Sequence, residues 1–174
     1  MPDIKIIEFK AYCADHAPLR EILSEKQARY VGEDHQIDTY FKVPAGRLKL
    51  REGSIERKLI FYSRANQAGP KRSDVLLFPV EKPFSVALRK LLSRALGVLA
   101  VVDKRRHIYF IDNIKIHLDE VDGLGQFVEV EAIDEEGSRT EASLAAQCDQ
   151  MKASFAVADI DLIALSYSDM MLAK

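Results

Sequence analysis

Along most of this chain the charged side chains recur two residues apart, in short runs interleaved with aliphatic ones. Side chains alternate across a β-strand, so residues two apart share a face. In 47–52 (RLKLRE), Arg47, Lys49 and Arg51 share one face, and Leu48 and Leu50 take the other. In 57–65, Lys58, Tyr62 and Arg64 oppose Leu59 and Phe61; in 98–112, Lys104 and Arg106 lie with Val102. In 114–121, Lys115, His117 and Asp119 oppose Ile114, Ile116 and Leu118. Glu129 and Glu131 oppose Val128 and Val130 in 126–133, and Glu8 and Lys10 oppose Ile7 and Phe9 in 4–12. One such strand is explained by a solvated face and a buried face. Six of them, with the signs in blocks, ask for more. The cations Lys10, Arg47, Lys49, Arg51, Lys58, Arg64, Lys104, Arg106 and Lys115 concentrate in the middle strands. The acids Glu8, Asp119, Glu129 and Glu131 come from the first strand and the last two.

Two further segments, 36–43 (QIDTYFKV) and 75–80 (VLLFPV), read as strands. Pro44-Ala45-Gly46 and Gly53-Ser54 supply turns, and 66–74 reads as a polar loop. Three helices are predicted: one starting near Asp15 as its cap, one over 83–96, and one over 139–156. In the second, Phe84, Leu88, Leu91, Leu92 and Leu96 fall on one face, and Gly97 stops it. This order of mainly antiparallel strands with interspersed helices predicts an α+β fold, a curved sheet covered by helices, in one domain over 1–174. Gly123-Leu124-Gly125 lacks the third glycine and opens a strand, so it is no dinucleotide fingerprint.

Composition removes several function classes. A net charge of -2 over 174 residues gives no global attraction to nucleic acid or to membrane. A sequence pI near 6.1 also argues against a nucleic-acid binder, despite the mixed basic and aromatic run DKRRHIY. Cys13 and Cys148 form no metal-binding spacing and read as reduced thiols. The N-terminal run has no signal-peptide core, and no stretch approaches the ~20 apolar residues of a membrane span, which predicts a cytoplasmic protein.

Arg and Lys converging in a concave sheet repel one another unless a polyanion sits among them. Neighbouring carboxylates are explained if they hold Mg²⁺ or Mn²⁺, hard cations that commonly bridge protein carboxylates to substrate phosphates. A phosphate chain, a divalent ion and a basic cradle are the parts of phosphoryl or nucleotidyl transfer, where catalysis is mostly positioning and charge stabilisation.

The segments IEFKA, DTYF, GRLKLRE, LIFYSRANQAGPKRS, VDKRRHIYF, IHLDEVDGLGQFVEVEA and SYSDMM span residues 6–170. In that order they resemble the CYTH superfamily, named for class IV adenylate cyclase and thiamine triphosphatase, and most of all its adenylate cyclase-like branch. The resemblance implies an eight-stranded antiparallel β-barrel, a triphosphate tunnel with flanking helices. It implies that Lys49, Arg51, Arg64, Lys104 and Arg106 bind phosphate. Glu8 and Lys10 match the end of an E-x-E-x-K signature, Glu8 with Asp119, Glu129 and Glu131 matching metal-binding positions. His117, on the same face as Asp119, is a further metal candidate, the alternative being a metal-free histidine hydrogen-bonded in the tunnel. The first Glu of that signature is replaced here by Ile6. A homodimer is implied at the level of the family only.

The expected partner is a small triphosphate such as ATP or tripolyphosphate. Two chemistries use these residues: a cyclase converting ATP to cyclic AMP and pyrophosphate, and a triphosphatase acting on tripolyphosphate or an organic triphosphate such as thiamine triphosphate. A non-catalytic triphosphate-binding module is the third reading. For either enzyme Lys10, Arg51 and Lys104 are the catalytic candidates, and all nine cations are candidates for the phosphate chain.

Overall fold

The inward charges can converge only if the sheet curls and closes, and in the computed structural model it does. The structure describes residues 4–174; residues 1–3, included in the single-domain expectation, lie outside the described residues. In chain order the elements are β1 (Ile4–Tyr12), α1 (Ala17–Glu25), β2 (Arg29–Phe41), β3 (Arg47–Gly53), β4 (Arg57–Arg64) and β5 (Lys71–Pro79). There follow α2 (Lys82–Leu96), β6 (Val98–Ile111), β7 (Ile114–Val121), β8 (Gly125–Asp134), α3 (Glu141–Ser154) and α4 (Tyr167–Leu172). The eight strands form a closed antiparallel barrel in the order β1-β5-β4-β3-β2-β6-β7-β8. Closure leaves no sheet edge unpaired. It also makes every strand present one face inward, so the period-two pattern becomes an inside and an outside.

The outside is buried under helices. Ile7, Phe9, Ile116, Leu118, Val128 and Val130 pack against Leu19 and Leu23 of α1 and Leu144, Cys148 and Met151 of α3. Leu50 and Phe41 meet α2 through Leu88 and Leu92. Both sides of the β1–β7–β8 wall are therefore removed from water: aliphatic contacts outside, charged side chains inside.

Several expected boundaries move. β2 starts at Arg29 and not at 36: residues 29–35 pair with β6, although they are mostly charged or exposed and show no aliphatic alternation. The early half pairs with β6 through a register shift at Tyr30/Gly32, where Gly32 has φ 149°. β5 starts at Lys71, within the segment expected as loop. On α2, Phe84 and Leu91 point to solvent rather than inward with Leu88 and Leu92. Asp15 receives the backbone N–H of Ala17 at 2.9 Å, but the cap position itself is His16. The C-terminal tail forms α4, opened by a capping box in which Ser166 and Asp169 satisfy each other's backbone N–H. Cys13 and Cys148 are both free. Among the described residues no helix is long and apolar enough to cross a membrane.

Candidate functional site

A cavity of about 210 Å³ runs inside the barrel, lined from strands all round it. Eight of the nine expected cations line it; Arg47 stands apart, bonded to Asp169 and Asn66. Glu8, Glu129 and Glu131 also line it, whereas Asp119 and His117 sit behind the lining.

The expected separation of cations from acids holds only in part. β4, β3 and β6 carry seven of the nine cations and lie on one side of the barrel with β2 among them, while β1, β8 and β7 together carry the expected acids. Yet every one of the nine cations has a carboxylate oxygen within 3.4 Å. The interior is cross-neutralised, and two carboxylates that carried no sequence assignment do much of it.

The first is Asp38 on β2. Arg51 grips it through Nε and Nη2, both at 2.9 Å, while Lys49 and Lys104 donate to its Oδ2 at 3.0 and 2.7 Å. Burial disfavours the Asp38 charge, but these three cations outweigh it and hold the carboxyl well below the usual range. The same burial pulls the Lys104 ammonium down to about 7, with Asp38 opposing and Arg51 assisting the fall. Asp38 was within sight of the alternation, since Gln36, Asp38 and Tyr40 share the inward face of a segment read as a strand.

The second is Glu56. It sits between β3 and β4, where no periodicity fixes a side chain's direction. It accepts from Arg51 Nη1 at 3.0 Å, from Lys115 at 2.5 Å and from Lys58 at 3.4 Å. The buried Asp34 carboxylate braces this turn by accepting from Ser54 Oγ and from the backbone N–H groups of Ile55 and Glu56 at 2.8–2.9 Å. Gly53 is required there, because a Cβ would fall 2.6 Å from Asp34 Oδ2.

On the opposite wall the acids have unequal freedom. Asp119 is bonded by Arg106 through two contacts of 2.6 Å and by the Tyr167 hydroxyl at 2.7 Å. Its oxygens already accept from these protein donors, so among the expected metal-binding acids it is the most engaged. Glu8 is paired to Arg64. Glu129 accepts from Arg106 at 2.8 Å and lies 3.4 Å from Lys10. Glu131 makes no comparably close contact to a cation. His117, Glu129 and Glu131 bring ligand atoms within 4.8 Å of one another. His117 faces the two carboxylates through Nδ1, at 3.3 and 3.9 Å, and its buried Nε2 has no hydrogen-bond partner.

Electrostatics at this cluster fit a divalent cation. Burial, then the neighbouring Glu129 charge, pushes the Glu131 carboxyl up to about 7. Burial and Arg106 lower His117 to about 3, so its imidazole is neutral and keeps a lone pair for a ligand bond. Two crowded carboxylates with a neutral imidazole are short of positive charge; the carboxylates suit Mg²⁺ or Mn²⁺, and an imidazole ligand would favour the transition ion.

Tyr167 had been matched only as part of a tail. Its ring lies 3.7 Å beneath the Lys10 ammonium, so α4 brings a cation–π contact and an Asp119 ligand to the cavity at once. Lys71 is likewise buried, donating to the carbonyls of Gln67 and Ile163 at 3.1 Å each.

The class this defines is a closed β-barrel with cations and carboxylates lining one interior cavity. The chain belongs to the CYTH domain family, whose match covers residues 5–154. Members of this family are typically metal-dependent enzymes acting on triphosphates. The PH1012 protein of Pyrococcus horikoshii has the same fold, with a TM-score of 0.79 at 20% identity over 94% of this chain and 98% of that one. A candidate adenylate cyclase of Vibrio parahaemolyticus gives 0.73 at 20% identity, covering 96% and 97%. The Hippeastrum protein HpAC1, described as a candidate adenylyl cyclase with a dominant triphosphatase activity, gives 0.61 at 11% identity, covering 98% and 94%. At these identities the likeness is one of fold. No curated protein matched the sequence significantly.

Proposed function

We propose that the protein binds a triphosphate and a divalent cation inside the barrel and hydrolyses the phosphate chain. The observation that carries this reading is the convergence of Lys49, Arg51, Lys104, Arg106, Arg64 and Lys10 on the cavity that also holds Glu129 and Glu131. Ammonium groups carry three donors each, so Lys104 and Lys49 keep free N–H groups after bonding Asp38. Asp38 thereby sets the spacing of the three cations before the ligand arrives. That is the preorganisation which makes transition-state charge stabilisation effective.

Glu129, Glu131 and His117 would hold the divalent ion, with Glu8 beside Glu131 in the register of β1 and β8. When bound, the ion supplies charge neutralisation at the phosphate oxygens. Arg51 and Lys104 stabilise the charge that develops on the transferred phosphoryl group. Lys10, held between Glu129 and the Tyr167 ring, positions water or the terminal phosphate.

The test incubates the protein with ATP or tripolyphosphate, with Mg²⁺, Mn²⁺ or no metal, and resolves orthophosphate, pyrophosphate and cyclic AMP. Metal-dependent orthophosphate release is expected. Cyclic AMP with pyrophosphate would replace hydrolysis by cyclisation. A raised melting temperature without turnover would reduce the protein to a triphosphate-binding module.

A further inference from the structure

The cavity is charged on most of its walls but not on all of them. Ile4 and Ile6 on β1, Val75 and Leu77 on β5, Ile60 on β4 and Ile133 on β8 line it side by side. These strands are consecutive in the barrel, in the order β8-β1-β5-β4, so the six side chains form one continuous aliphatic wall. The register confirms their contiguity: Ile6 lies opposite Ile133, Ile4 opposite Val75, and Ile60 opposite Leu77. Inorganic tripolyphosphate offers nothing to such a wall. It would only lose hydration there.

The border between the aliphatic wall and the charged one carries unpaired hydrogen-bonding groups. Ser73 lies between Ile6 on one neighbour strand and Arg64 on the other, and it lines the cavity. Among the described residues its Oγ and the Arg64 Nε are buried without a hydrogen-bond partner, and Ser73 is 1% exposed. Buried polar groups ordinarily find partners, and those left over call for an explanation such as a ligand. A hydroxyl and a guanidinium N–H at the boundary suit the oxygen that joins a phosphate to a carbon group. Beyond that oxygen the wall presents carbon, with Glu135, two residues past Ile133, also lining the cavity.

We propose that the ligand is a phosphate-chain ester of an aliphatic group, its ester oxygen at Ser73 and Arg64 and its hydrocarbon on the Ile4/Ile6/Ile60/Val75/Leu77/Ile133 wall. This rests on the triphosphate reading above and narrows its substrate class. Ile6, where the sequence departs from the E-x-E-x-K pattern, then belongs to the wall: it exchanges a carboxylate for ligand-facing hydrocarbon.

Calorimetric titration with tripolyphosphate, ATP and n-pentyl triphosphate, each with Mg²⁺, tests the assignment. Pentyl triphosphate should bind at least about tenfold tighter than tripolyphosphate, since each buried methylene strengthens binding by a factor of a few. Esterification removes a negative charge, so a gain cannot come from electrostatics. Val75→Thr keeps the side-chain shape and replaces a methyl with a hydroxyl; it should erase most of that advantage while leaving tripolyphosphate affinity unchanged. Leu77→Ala, at a half-buried position, should do the same if the first variant folds poorly. Equal or tighter binding of tripolyphosphate, or an ester advantage that survives both variants, overturns the proposal. ATP binding tighter than the pentyl ester overturns it in favour of a nucleoside. If neither tripolyphosphate nor the ester binds, the triphosphate reading itself falls.

Discussion

Arg51 clasps Asp38 with two hydrogen bonds of 2.9 Å inside a barrel that leaves Asp38 1% exposed. The pair ties the cationic wall together, because Lys49 and Lys104 converge on the same carboxylate. From strand alternation alone, Arg51 looks like a ligand contact whose removal spares the fold. The ion pair changes that expectation. Arg51→Ala should abolish tripolyphosphate binding and also lower stability by about 2 kcal/mol, since Asp38 keeps Lys49 and Lys104 but loses its bidentate partner. Thermal melting alongside calorimetry checks both halves; an unchanged melting temperature would mean that Lys49 and Lys104 satisfy Asp38 alone.

Glu56 competes with any phosphate for Arg51, Lys58 and Lys115. Glu56→Gln keeps the shape of the turn and removes the negative charge, so tripolyphosphate should bind more tightly, by about tenfold. The gain should shrink with added salt at the partly exposed Lys58 and persist at buried Arg51. Weaker binding in this variant would show that Glu56 positions the cations rather than opposing the ligand.

Burial brings Lys104 to about 7, far below the ordinary lysine value of 10.5. Phosphate beside it favours the charged form and raises the pKa again, so binding takes up a proton in the window between those values. Affinity should therefore fall as pH rises above 7, by up to about tenfold per unit for one proton. Lys10, also lowered by burial, acts in the same direction. Titrations in buffers of different ionisation enthalpy count the protons, and Lys104→Arg should remove most of the uptake.

Glu131 is the member of the acidic cluster least engaged by cations, which makes it the cleanest probe of the metal. Glu131→Gln should weaken Mg²⁺ or Mn²⁺ dependence by at least about tenfold, a typical cost of losing one ligand interaction of a few kcal/mol. Metal-free binding of tripolyphosphate should be unchanged or stronger. Glu129→Gln is expected to lose metal dependence too, but it also unpairs Lys10 and Arg106.

Gly53→Ala places a Cβ 2.6 Å from both Asp34 Oδ2 and the Glu56 carbonyl oxygen. The brace on the β3–β4 turn must shift, at a cost of about 2 kcal/mol. A lowered melting temperature together with altered tripolyphosphate affinity would show that the brace sets the position of Glu56.

The chain by itself determined the strands with strong period-two alternation, and with them which side chains face inward. β7 occupies 114–121 as read, and β3, β4 and β8 lie within one residue of the reading at each end, because aliphatic and charged residues alternate without interruption there. The first half of β2 was illegible, since residues 29–35 face solvent on one side and carry no aliphatic signal. Inward direction also follows from local geometry, which is why eight of the nine cations could be placed in the cavity from sequence. Partnership does not follow from local geometry. Pairing of β2 with β6 brings Lys104 to Asp38, the curl of the barrel brings Lys115 to Glu56, and the return of α4 brings Tyr167 to Asp119, across separations of 66, 59 and 48 residues. Tertiary structure also set Arg106 and Tyr167 on Asp119, while leaving Glu131 without a comparably close cation among the described residues. It also assembled Ile4, Ile6, Ile60, Val75, Leu77 and Ile133, scattered over four strands, into one wall.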